Sequence, residues 1–168
     1  MINKSKDIKY SLDRIIKLKI LEFNVDGSCN AELDGNKFRV FGVIPGELVL
    51  AKVIKEFSDF SVAQVFEILK SSPNRIDAPC KYYLSCTGCQ FQHVKYDIQL
   101  KLKTKIISEA LSKTIKFKKV EVLETMGSDK LYHYRNHARF TIAKKPPFRG
   151  NIGFVNQFTR KILKINKY

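Results

Sequence analysis

Three of the four cysteines fall within ten residues of one another: Cys80, Cys86 and Cys89, spaced C-x5-C-x2-C. Thiolates gathered this closely hold a metal ion or an iron–sulfur cluster, or pair as disulfides in an oxidising compartment. Gly88 lets the backbone turn sharply between the last two thiols, and Pro79 stiffens the approach to the first. The N-terminus, Met1 to Lys6, lacks the apolar core of a secretory signal, and no apolar run is long enough to span a bilayer. A cytoplasmic location is therefore expected, and in that reducing compartment clustered cysteines read as ligands rather than disulfides. Two metal chemistries stay open. Zinc would be completed by His93 in a Cys3His set spaced C-x5-C-x2-C-x3-H, the option that spacing alone favours. An iron–sulfur cluster would need a fourth ligand from elsewhere, because Cys29 sits at an inward position of a strand pattern and reads as a small buried hydrophobe.

Charge points to the partner. The formal net charge is +15, and residues 80–168 carry 19 Lys/Arg against 5 Asp/Glu, whereas residues 1–79 carry 12 against 11. A positive field confined to half the chain implies a polyanion, held through counterion release. No basic amphipathic helix with bulky aromatics argues for a membrane surface, so nucleic acid is expected and a membrane is not. The candidate phosphate-contacting residues are Lys101, Lys103 and Lys105 on a helix, Arg135 and Arg139 at even spacing on a strand, and Lys144 and Lys145 beyond them. Tyr132, Tyr134 and Phe140 stand near enough in sequence to stack bases. Equally, such cations could be ordinary solvated side chains and such aromatics core. No catalytic residue stands out: the eight glycines include no G-x-G, and no nucleophile has an evident base.

These residues need a scaffold, and the pattern supplies one. Residues 1–13 are lysine-rich and expected to be flexible. From Arg14 apolar and polar residues alternate. Ile16, Leu18 and Ile20 mark a first strand, Cys29 to Leu33 a second, Phe38 and Val40 a third, Leu48 to Ile54 a fourth and Ser61 to Leu69 a fifth. Asp26-Gly27, Asp34-Gly35 and Pro45-Gly46 are turn signals between them. Five short strands at such intervals suggest a small closed, OB-like β-barrel over residues 14–71, a fold that often binds oligonucleotides. Ser71 to Arg75 reads as a linker, which starts a second domain at residues 72–168. There a helix is expected from Asp97 to Ser112, with Asp97 able to cap it, followed by strands at Val120–Leu123, Tyr132–Ala143, Asn151–Val155 and Lys161–Ile165. The fold class is α+β: a barrel and then a small α/β module bearing the cysteine cluster.

Several blocks in this order resemble the RNA (uracil-5-)-methyltransferases that carry an N-terminal TRAM domain and an iron–sulfur cluster. They are Phe41-Gly42-Val43-Ile44-Pro45-Gly46-Glu47, Ser72-Pro73-Asn74-Arg75 before Cys80, Cys86-Thr87-Gly88-Cys89-Gln90-Phe91-Gln92-His93, Tyr96 with Gln99 to Lys103, Tyr134-Arg135-Asn136, and Gly153-Phe154. The resemblance spans roughly residues 14–168. It implies a TRAM-type barrel, a [4Fe–4S] cluster on Cys80, Cys86 and Cys89, and an RNA partner, with 23S ribosomal RNA ahead of tRNA. Two departures stand out. The family's fourth cluster cysteine falls at Tyr168, and a phenol is a poor substitute for a thiolate. The family's Rossmann-like catalytic domain, with its S-adenosylmethionine site, cysteine nucleophile and general base, has no counterpart in these residues. The resemblance therefore implies the RNA-recognition portion of such an enzyme, truncated or complemented by a separately encoded catalytic domain. A free-standing RNA-binding module that holds zinc is the rival.

Overall fold

A computed structural model describes residues 10–114, 120–144 and 149–163. The chain divides into two compact units: Met1–Ile76 together with His93–Lys95, and Asp77–Gln92 together with Tyr96–Tyr168.

The first unit is a closed five-stranded barrel with strand order β1-β2-β3-β5-β4. Its strands are β1 (Ile15–Phe23), β2 (Ser28–Leu33), β3 (Asn36–Phe41), β4 (Leu48–Glu56) and β5 (Ser61–Lys70). Alternation drives the closure. Ile16, Leu18, Ile20, Cys29, Ala31, Phe38, Val40, Val49, Ala51, Val53 and Ala63 all point inward and are buried together, as the two-residue side-chain period requires. Asp34 and Gly35 both take positive φ, 50° and 75°, so β2 and β3 are joined by a two-residue turn with Leu33 opposite Asn36. The barrel closes through a parallel pairing of β3 with β5, Phe38 opposite Ser61.

The barrel is larger at both ends than alternation alone suggests. Tyr10 belongs to it. That side chain is buried, packs edge-on to Phe38 with ring centroids 5.5 Å apart, and donates its hydroxyl to Asp34. Asp13 N–H reaches the Val53 carbonyl at 2.8 Å, so residues 10–13 are fastened to the barrel, while residues 1–9 lie outside the described residues. At the other end the unit runs past the expected boundary at residue 71 to Ile76. Arg75 holds it there through Glu47, and the chain comes back to pair: Ile76 N–H donates to His93 O at 3.0 Å and Lys95 N–H to Asn74 O at 2.9 Å.

The second unit contains α1 (Tyr96–Ser112) and a three-stranded antiparallel sheet, β6 (Thr141–Ile142), β7 (Ile152–Val155) and β8 (Ile162–Leu163). No residue of α1 is fully buried. Its Tyr96, Leu100 and Thr104, spaced four apart and hence on one face, line up along residues 125–128: Tyr96 Oη accepts from Ser128 N–H at 2.9 Å, Leu100 abuts Gly127, and Thr104 Oγ1 accepts from Thr125 N–H at 2.9 Å. The expected strands at 120–123 and 132–143 are reduced to Thr141–Ile142 among the described residues. Most of that stretch is exposed and has no ladder partner to keep it regular. Among the described residues no helix is long and apolar enough to cross a membrane, and no Rossmann-like domain is present.

Candidate functional site

The cysteine loop occupies Asp77–Gln92 in the second unit and is built by local turns. Tyr83 N–H donates to Cys80 O and Cys86 N–H to Tyr82 O, each at 2.9 Å. Leu84 takes φ 66° to let the chain double back. The loop is fastened at both ends: Gln92 Oε1 accepts from Cys80 N–H at 3.3 Å, and Tyr83 Oη donates to Gln90 O at 2.8 Å. Residues after β7 pin its middle, with Cys86 bridged to Asn156 and Gln157 N–H donating to Ser85 O at 3.0 Å.

All three thiols are free; Cys80 and Cys86 are half-buried and Cys89 is exposed. Gly88 N–H donates to Cys86 Sγ at 3.3 Å, which favours the thiolate. Burial nonetheless pushes the Cys86 thiol up, helped by the charges that Cys89 and Cys80 would carry. A thiophilic cation or an iron–sulfur cluster would take these three sulfurs as thiolates, with the Gly88 N–H facing one of them. Among the described residues no three His, Cys, Asp or Glu side chains converge into a closed metal site. Tyr168, where the resemblance places the fourth ligand, lies outside the described residues.

His93, the alternative fourth ligand of the zinc reading, belongs to the barrel unit. It is buried in the barrel unit with Nε2 3.0 Å from the Val43 carbonyl. Burial drives its pKa down to about 4, only partly countered by that hydrogen bond. Cys29 Sγ donates to the same carbonyl at 3.3 Å, and burial pushes this thiol far up, so Cys29 is the inert core residue expected.

The described cationic candidates are all at the surface. Lys101, Lys103 and Lys105 are exposed on α1, and Lys105 pairs with Glu109 one turn on, at 3.5 Å. Arg135, Arg139 and Lys144 are exposed along the stretch that leads through β6. The Arg135 guanidinium lies 5.9 Å from the centroid of the exposed Tyr134 ring. Tyr132 and Phe140 are exposed as well, Phe140 against Phe154 at 5.3 Å. Aromatic and cationic side chains thus share an open stretch, the combination that stacks bases and tracks phosphates. Lys145 lies outside the described residues. The sequence pattern did not reveal the barrel's own surface cluster, in which Arg39, Phe60, Phe57 and Lys55 stack one on another, because its members come from three separate elements. Nor did it reveal Gln92 and Asn156 as supports of the cysteine loop.

The chain matches no protein-family model. It is 30% identical over 155 residues to an uncharacterized RNA methyltransferase of Halalkalibacterium halodurans, an alignment covering 91% of the chain and 33% of the relative. It is 34% identical over 155 residues to one of Aquifex aeolicus (92% and 35%) and 36% identical over 141 residues to one of Listeria monocytogenes (84% and 29%). The chain spans about a third of the length of these curated relatives. Among solved structures, the tRNA (uracil-54, C5)-methyltransferase of Pyrococcus abyssi in complex with S-adenosyl-L-homocysteine superposes with a TM-score of 0.56 at 26% identity, over 90% of this chain and 32% of that one. By sequence and by fold, the chain is homologous to the N-terminal part of the RNA methyltransferases.

Proposed function

We propose that the chain is the RNA-recognition portion of an S-adenosylmethionine-dependent RNA (uracil-5-)-methyltransferase-like protein, cytoplasmic and without catalysis of its own. The observation that carries this reading is the second unit's open run of cations and aromatics, Tyr134, Arg135, Arg139 and Lys144, in a half-chain bearing 19 basic against 5 acidic residues. Ribosomal RNA of the 23S type is the proposed substrate. tRNA is the second reading, favoured by the name of the Pyrococcus abyssi protein. Cys80, Cys86 and Cys89 would hold a [4Fe–4S] cluster, whose contribution is to clasp the loop that carries them. Zinc, with His93 as the fourth ligand, is the alternative: an imidazole whose Nε2 faces the Val43 carbonyl can ligate a metal through Nδ1. Methyl transfer would need a catalytic domain, encoded with this chain or separately, and no residue here is assigned to the methyl donor.

The test is charge reversal. Arg135→Glu combined with Lys144→Glu should abolish binding to structured ribosomal RNA at moderate salt and flatten the salt dependence, since each lost phosphate contact removes about 0.9 from the slope of log affinity against log salt. Unchanged affinity would sink the reading.

A further inference from the structure

The outer face of the barrel holds a cleft of about 390 Å³. Its floor is the solvent side of β2 and β3, where Asn30 stands opposite Arg39 and Glu32 opposite Lys37. Its wall is the β4–β5 hairpin, in which Phe57 N–H donates to Phe60 O at 2.9 Å across the two-residue turn Ser58-Asp59. That turn puts the Phe57 and Phe60 rings on one side, stacked with centroids 4.8 Å apart and planes 26° apart. Lys55 covers Phe57 at 4.5 Å, and the Arg39 guanidinium lies over Phe60 at 4.5 Å. Of this pile, Arg39 and Phe60 line the cleft. The second strand, the third strand and the β4–β5 loop are the parts of an OB-type barrel that face its ligands.

The chemistry of the lining narrows the ligand. A guanidinium plane backed by a phenyl ring is a platform for a flat π-system, and unpaired bases stack on such planes. The rest of the lining is not a phosphate site. Glu22, Glu32 and Asp59 outnumber Lys37 and Arg39, and residues 1–79 as a whole are almost neutral. Carboxylates accept hydrogen bonds, so they select a base by the donors on its edge. Guanine presents two adjacent donors, the ring N1–H and the 2-amino group, which suit the two oxygens of one carboxylate. Uracil presents one.

We propose that this cleft binds an unpaired guanine of an RNA strand, stacked on the Arg39–Phe60 pair with its N1–H and 2-amino donors turned to the cleft's carboxylates. The barrel then reads a base while the second unit holds phosphates. The proposal rests on the RNA-recognition reading above and adds to it a sequence preference and a location.

The experiment titrates the full chain with the pentanucleotides UUGUU, UUIUU, UUAUU and UUUUU at moderate salt, by fluorescence anisotropy. UUGUU should bind about tenfold more tightly than UUUUU, within the range one paired base edge commands. Inosine, which lacks the 2-amino group, should give back part of that gain. Arg39→Lys keeps the charge and loses the plane, and should weaken UUGUU by about tenfold. Phe60→Leu, which retains an apolar contact for Phe57, should do the same without altering the melting temperature appreciably. Glu32→Gln with Asp59→Asn should reduce the preference for guanine over uracil and leave the binding of UUUUU unchanged. Equal affinity for all four oligonucleotides, or an Arg39→Lys variant indistinguishable from the parent, overturns the proposal. The two readings fail separately. A missing guanine preference alongside a working charge-reversal effect on structured RNA removes only the cleft. A guanine preference with no charge-reversal effect removes the phosphate surface and keeps the cleft.

Discussion

Arg75 grips Glu47 with two parallel hydrogen bonds, Nε to Oε1 and Nη2 to Oε2, each 2.7 Å long. The carboxylate is fully buried and also accepts from Ile44 N–H at 2.9 Å and Ser72 N–H at 3.1 Å, while Arg75 Nη2 donates to Gly42 O at 2.9 Å. One ion pair therefore joins the turn before β4 to the chain leaving β5. It explains why the barrel unit ends at Ile76 rather than at the Ser-Pro segment.

Removing one partner of a buried pair leaves a stranded charge, so Arg75→Ala should destabilise the barrel by about 3–5 kcal/mol. Arg75→Lys should recover only part, because an ammonium cannot make the forked contact. Replacing both residues, as Glu47→Leu with Arg75→Met, should cost much less than the sum of the single changes. Urea denaturation of the single and double variants measures this, and additive costs would show that the pair is not coupled.

The same unit carries two pH sensors with separate windows. His93 is buried and titrates at about 4, below the unfolded value near 6.5. Its neutral form is the one the fold accepts, so the unfolded chain gains a proton first as pH falls. Stability from His93 is intact above about pH 6.5 and is lost down to about pH 4, at no more than about 1.4 kcal/mol per pH unit. Burial also opposes the Glu47 carboxylate, but the bonds from Arg75, Ser72 and Ile44 outweigh it and hold the group below the usual glutamate range. Its contribution is present above about pH 4.3 and disappears as pH falls further. His93→Gln should flatten the stability profile between pH 6.5 and 4 and leave the acid limb below it. A profile that His93→Gln does not change would contradict the assignment.

What was legible in the sequence was whatever a local period or turn could express. Ile16, Leu18 and Ile20 declare β1, Asp34-Gly35 declares the hairpin, and the helix expected from Asp97 to Ser112 is α1, one residue longer. The Glu47–Arg75 pair was not legible, because 28 residues separate its partners and each alone reads as a surface charge. Spacing places His93 just after the cysteines but carries no sign of the tertiary pairing at Ile76 and Lys95 that makes it part of the barrel unit. The pattern around Arg135 and Arg139 is that of a regular strand. Alternation there is real, but a strand is stabilised by its neighbours, and none is present beside Tyr132 to Phe140 among the described residues.

Gly153 offers a test of the small sheet. A Cβ at this position would stand 2.1 Å from the Leu163 carbonyl oxygen, a distance that demands backbone movement. Gly153→Ala should therefore separate β7 from β8 and, through Asn156 and Gln157, loosen the cysteine loop. Amide exchange should rise at Cys86 and Val155 while the barrel amides stay protected. Unaltered protection at Cys86 would show that the loop does not depend on the sheet.

The cysteine loop makes the last prediction, and it separates the two metal readings. If Cys80, Cys86 and Cys89 hold an iron–sulfur cluster, chain purified without oxygen should contain iron and acid-labile sulfide in equal amounts, and Cys86→Ser should lose both. His93→Gln should leave the iron content unchanged, because this reading places the cluster on the three thiolates and not on the imidazole. Zinc at one ion per chain without sulfide, lost in Cys86→Ser and in His93→Gln, would favour the other chemistry. The support shell discriminates further. Gln92 Oε1 fixes the Cys80 amide and Gly88 N–H points at Cys86 Sγ, so Gln92→Ala should lower metal retention by about 10–100-fold without touching a ligand, the usual effect of removing a group that orients one. Metal content after dialysis against a chelator reads the loss directly, and full retention by Gln92→Ala would mean that the loop is shaped by the metal rather than prepared for it.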